Sequence, residues 1–151
     1  MGSFIFIAMN ARLRADCPAE VHEYFRYLSD DTEPHSDGVR EMLRVSGNAG
    51  HLPDRDSNAC GAISFVQGLN DWEVRISGSF NDDSGQYLYA LIDIAGRNCM
   101  DGPFAMKWTQ YNVADSERFV ACNGVTFYDS GGGPLKALYG DAAPPVDKNY
   151  S

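Results

Sequence analysis

The stretch Phe4-Ile5-Phe6-Ile7-Ala8-Met9-Asn10-Ala11-Arg12-Leu13-Arg14 decides the fold, because its side chains alternate with a period of two. Ile5, Ile7, Met9, Ala11 and Leu13 share one face, while Phe4, Phe6, Asn10, Arg12 and Arg14 share the other. This pattern predicts a strand buried on its odd-numbered side. The run is short and carries no basic leader, so it reads as a strand and not as a signal peptide.

Working outward, Cys17-Pro18-Ala19-Glu20 reads as a helix start of the capping-box kind, with an unusual cysteine cap. Val21, Tyr24, Phe25 and Leu28 then recur at helical spacing. Ser29 to Gly38 is polar and broken by Pro34. Val39 to Val45 is expected to add a short helical piece before a second loop through His51, Pro53 and Asn58. Long loops of this kind count as weak evidence for a site.

Gly61 to Val66 and Trp72 to Phe80 are two expected strands, the second with Trp72, Val74 and Ile76 on one face and Glu73, Arg75 and Ser77 on the other. Asp82, Asp83 or Ser84 caps the next helix, which turns Tyr87, Leu88, Leu91, Ile92 and Ala95 inward and stops near Gly96. In Pro103 to Asn112, Phe104, Met106 and Trp108 alternate with Lys107, Thr109 and Tyr111. Asn123-Gly124 is a preferred two-residue turn between the strands Arg118–Cys122 and Val125–Tyr128.

The order strand, helix, strand, strand, helix, strand predicts an α+β fold, a two-layer ferredoxin-like βαββαβ sandwich with an additional C-terminal hairpin. Residues 1–129 form the expected single domain, and residues 130–151 a Gly/Pro-containing tail, partly disordered beyond Tyr139. The run Pro18-Ala19-Glu20-Val21, the pair Met42-Leu43, the helix Tyr87 to Ile94 and the closing Lys107-Trp108-Thr109-Gln110-Tyr111 together resemble a widespread family of small bacterial α/β proteins without an assigned activity. The resemblance covers about residues 4 to 128 and implies a fold but no function.

With 21 acidic against 12 basic residues, the formal charge of -9 disfavours nucleic acid and anionic membranes as partners and suits a basic protein. No apolar run approaches the roughly 20 residues of a membrane span. Cys17, Cys60, Cys99 and Cys122 form no C-x-x-C pair, and His22, His35 and His51 form no H-x-x-x-H. No metal or cofactor is therefore expected, and free thiols in a reducing cytoplasm are the default. His22 is read as solvent-exposed, and the acid pairs Asp30-Asp31, Asp54-Asp56 and Asp82-Asp83 as loop solvation or helix caps. Gly131-Gly132-Gly133 is a flexible connection before it is a phosphate nest.

The alternation places Phe4, Phe6, Asn10, Arg12, Arg75, Lys107, Thr109 and Tyr111 on the sheet face away from the helices. Arg12, Arg75, Lys107 and Tyr111 are the candidate ligand-binding residues, and burial of this face by a hairpin or in a homodimer is the competing explanation. Three functions follow. The first is a non-enzymatic acidic inhibitor, of the immunity or phage counter-defence type, that binds a basic partner protein stoichiometrically. The second is sequestration of a small anionic nucleotide-like ligand on the open face, and the third a small enzyme using a loop histidine or Cys99.

Overall fold

A computed structural model describes residues 4–30, 63–81, 85–109 and 112–140. The first strand, β1 (Phe4–Arg12), takes the phase its alternation dictates: Ile5, Ile7, Met9, Ala11 and Leu13 are all buried. Helix α1 (Ala19–Asp30) follows, and Val21, Tyr24, Phe25 and Leu28 close over the same core. At its start the Cys17 N–H donates to the Arg14 carbonyl, so it is not available to Glu20 as a capping box requires.

Strands β2 (Ile63–Gln67) and β3 (Trp72–Asn81) pair antiparallel, and β3 pairs with β1 so that Met9 faces Ile76 and Ala11 faces Val74. Helix α2 (Gly85–Asn98) runs past Gly96, which was expected to end it. Gly96 is there for close approach: a Cβ at that position would overlap the Thr126 hydroxyl and come within 2.8 Å of the Phe104 ring. Besides the expected Leu88, Leu91, Ile92 and Ala95, both Ala90 and Ile94 are buried, so the helix is enclosed over more than one stripe.

Strands β4 (Gly102–Thr109), β5 (Asn112–Cys122), β6 (Val125–Ser130) and the short β7 (Lys136–Ala137) complete one sheet in the order β2-β3-β1-β4-β5-β6-β7. The turn at Asn123-Gly124 has positive φ at both residues, as the two-residue hairpin requires. All neighbours in the sheet are antiparallel.

This overturns the ferredoxin-like βαββαβ sandwich. The described protein is mostly antiparallel sheet, seven strands with two helices, and the sheet is open. The physical reason lies in the last third of the chain. Phe119 and Ala121 of β5 join the helix-side core, while Val120 and Cys122, which alternate with them, are buried as well. β5, β6 and β7 each pair antiparallel with the strand before, so the expected extra hairpin extends the same layer into a seven-stranded sheet. Seven strands spaced about 4.8 Å apart span roughly 29 Å, more than two helices about 10 Å wide can cover.

β7 lies within the stretch read from the sequence as a tail. After β6, Gly131 and Gly132 take positive φ, the Gly131 N–H donates to the Ser116 carbonyl and the Gly133 N–H to the Ser130 carbonyl. The glycines therefore form a turn into another strand, with no helix start behind it to complete a phosphate nest. No helix among the described residues is long and apolar enough to cross a membrane.

Candidate functional site

The sheet register builds the site. Across β3, β1, β4, β5 and β6 it aligns Ser77, Ala8, Met106, Arg118 and Asp129 in one row. On one side of that row stand Phe6 and Trp108, cross-strand neighbours whose rings stack with centroids 5.8 Å apart and planes 12° from parallel. On the other side stand Asn10 and its β3 partner Arg75. Phe6, Ala8 and Asn10 alternate with the buried Ile5, Ile7 and Met9, so this is the face turned away from the helices.

Ala8 and Ser77 are short and their neighbours are long, which leaves a shallow groove of about 510 Å³ lined by Ala8, Asn10, Arg75, Ser77, Met106 and Arg118. Pockets of this size hold small ligands. One end is set by backbone: β4 bulges between Pro103 and Ala105, and its pairing with β1 ends at Met9 and Ala105.

Three arginines occupy this face, each held by a carboxylate. Arg12 grips Asp71 through two nitrogens at 2.7 and 2.9 Å, Arg75 meets Glu73 at 2.9 Å, and Arg118 meets Asp129 at 2.9 and 3.0 Å. The arginine side chains are 62%, 58% and 34% exposed, whereas their acids are 20%, 18% and 4% exposed. Carboxylates therefore lie beneath and guanidinium groups stand outward. Such anchoring orients the planar donor fork before any ligand arrives.

Of the predicted binding residues, Arg12 and Arg75 share this face, and Tyr111 lies outside the described residues. Lys107 points the opposite way. It pairs with Ile7 in register, its Nζ lies 2.8 Å from Glu117 Oε1, and it sits 5.0 Å above the Tyr89 ring of α2. Thr109, paired with Ile5, also faces the helices. The bulge is the cause: Phe104 and Ala105 both turn inward, which inverts the expected phase and brings Met106 and Trp108 to the groove side. Arg118 and Asp129 were missed, although counting equal steps away from the Asn123-Gly124 turn pairs them.

Burial works against ionisation of two candidate nucleophiles, Cys17 and Cys99. Cys99 is buried, its Sγ lies 3.9 Å from the Gly96 carbonyl, and desolvation pushes its thiol up to about 12; burial raises Cys17 to about 11. His22 is not freely exposed as expected but packs edge-on against Phe65 and Trp72, and burial, then the Arg26 charge, lower its pKa. His35, His51, Cys60 and the acids 31, 54, 56, 82 and 83 lie outside the described residues.

On the helix side, the Tyr89 hydroxyl donates to Glu117 Oε1 at 2.5 Å. Burial pulls Lys107 down, but its bonds to Glu117 and Tyr89 hold it above the ordinary lysine value. Among the described residues no group of three His, Cys, Asp or Glu is placed to hold a metal. No protein-family model, curated protein or solved structure matches the chain.

Proposed function

We propose that the protein acts by binding rather than by catalysis, and that the groove over Ala8 and Ser77 is the seat of a small anionic ligand. One observation carries this reading: Arg75 and Arg118 stand outward at the groove, each anchored by a carboxylate beneath it. A phosphate or carboxylate arriving there meets N–H donors already oriented, and Asn10 and Ser77 add neutral polar groups. Arg118 takes the place that the sequence reading had assigned to Lys107.

Thermal melting against a panel of nucleotides, sugar phosphates and inorganic phosphate tests the proposal. The expected outcome is a rise in Tm with at least one of these anions that Arg75→Ala removes and Arg75→Lys partly restores. A shift of equal size in Arg75→Ala would place the anion elsewhere and reject the groove.

A second reading is favoured by the net charge of -9, which suits a stoichiometric complex with a basic partner protein, of the kind an immunity or counter-defence inhibitor makes. Its mark is association that weakens steeply with added salt; capture that does not change with salt argues against it.

A further inference from the structure

We infer that the ligand is a two-ended acid, an elongated molecule with an anionic group at each end and an uncharged body, held across the groove by Arg75 at one end and Arg118 at the other. The inference deepens the groove proposal and rests on it.

It comes from the positions that the register gives the two arginines. Arg75 stands on β3 and Arg118 on β5, with β1 and β4 between them. Three strand spacings of about 4.8 Å set them roughly 14 Å apart across the sheet. Arg118 shares the row of Ala8 through Met106, whereas Arg75 pairs with Asn10, two residues further along β1. That step adds about 7 Å along the strands, so the two backbones stand roughly 16 Å apart on the diagonal. Their carboxylates keep the guanidinium groups from converging. Glu73, which holds Arg75, is the next residue on that face of β3 and lies away from Ser77. Asp129, which holds Arg118, lies on β6, beyond β5 as seen from the groove.

Between the two arginines lies a low row, Ser77, Ala8 and Met106, which bears no charge. Both arginines line the same groove, and Ala8, Pro103, Ala105 and Met106 give its floor an apolar character. A single phosphate or carboxylate reaches only one guanidinium. An acid carbon sits about 4 Å from the guanidinium carbon that binds it, so a ligand that meets both needs acidic groups roughly 8–12 Å apart. At about 1.3 Å per carbon of an extended chain, this is the span of suberate to sebacate. Joining two anionic groups in one molecule makes the second contact intramolecular, and the gain is largest when the linker matches the span.

The test is titration of the labelled full chain with succinate, adipate, suberate and sebacate, each beside the monocarboxylate of equal length, read by backbone amide shifts. The ratio of the two affinities at each length cancels the apolar gain of a longer chain. The expected ratio is about two-fold for succinate, the statistical advantage of two equal ends, and about ten-fold or more at suberate or sebacate. Arg118→Ala should bring the ratio back to about two-fold, while the monocarboxylates, held at Arg75, change by no more than about two-fold. Asp129→Asn is combined with Arg118→Ala so that no buried charge is left unpaired, and circular dichroism should confirm that the variant is folded. A ratio near two-fold at every length overturns the two-ended ligand; it leaves the anion site standing where Arg75→Ala still weakens the monocarboxylates. A high ratio that persists without Arg118 places the second anchor elsewhere and overturns the assignment. Binding by no acid of either kind overturns the inference, while the phosphates of the melting panel decide the anion site separately.

Discussion

Gly96 shows how one residue sets a distance between layers. Helix α2 approaches β6 so closely that the Thr126 hydroxyl, which donates to the Asp93 carbonyl at 3.3 Å, lies where a Cβ would be. Gly96→Ala should lower unfolding stability by about 1–3 kcal/mol, the usual cost of overpacking, less the small gain in helix propensity. Urea unfolding measures it, and an unchanged midpoint would mean that the helix shifts freely.

His22 gives a pH dependence whose sign is fixed by its surroundings. Its folded pKa lies below the ordinary 6.5, so the unfolded chain takes up the proton first. The stability from its packing on Phe65 and Trp72 is complete above about 6.5 and is lost as the pH falls toward the folded value. The unfolding midpoint should therefore drop as the pH is lowered from 7 to 5, and the drop should be smaller in His22→Phe. An identical profile in that variant would exclude the residue as a source.

Among the elements, β4 carries most of the difference between expectation and structure. Its inward side places Lys107 against Glu117 of β5 and Tyr89 of α2, with the lysine side chain 11% exposed and the glutamate 16%. Removing one charge leaves the other largely desolvated, so Lys107→Met should cost about 2–4 kcal/mol in urea unfolding, and Lys107→Met with Glu117→Leu should recover part of the loss. Additive losses in the double variant would show that the two groups do not interact.

β1 and α1 were legible because each has one buried face and an uninterrupted period. α2 was legible in place but not in length, because Gly96 reads as a stop only where no neighbouring strand demands a glycine. The bulge at Pro103–Ala105 has no reliable local signature, and one extra residue reverses every side chain after it. β7 was missed because a two-residue strand is recruited by the edge of β6 and leaves no periodic trace of its own.

For the whole molecule, the arginine-bearing face follows from where the described helices pack, both of them on the side of β1 that carries Ile5, Ile7 and Met9. Two described helices cover part of one side of a seven-stranded sheet, and the reverse side of β3, β1 and β4 displays the anchored arginines. The phase of β1 alone made Phe6, Asn10 and Arg12 legible as members of that face, and alternation in β3 added Arg75. Met106, Trp108 and Arg118 required the bulge and the full register, which arise only when five strands align. The low row at Ala8 and Ser77 is likewise invisible until both strands are paired.

The groove's role as the binding seat is tested most directly by mapping backbone amide shifts of the labelled protein during titration with AMP. The account predicts saturable shifts clustered at Ala8, Asn10, Arg75, Ser77, Met106 and Arg118, with the helix-side residues Leu91, Tyr24 and Lys107 unmoved. Saturable shifts centred on α1 or α2, or a spectrum unchanged by millimolar AMP and by every other anion of the melting panel, would contradict it.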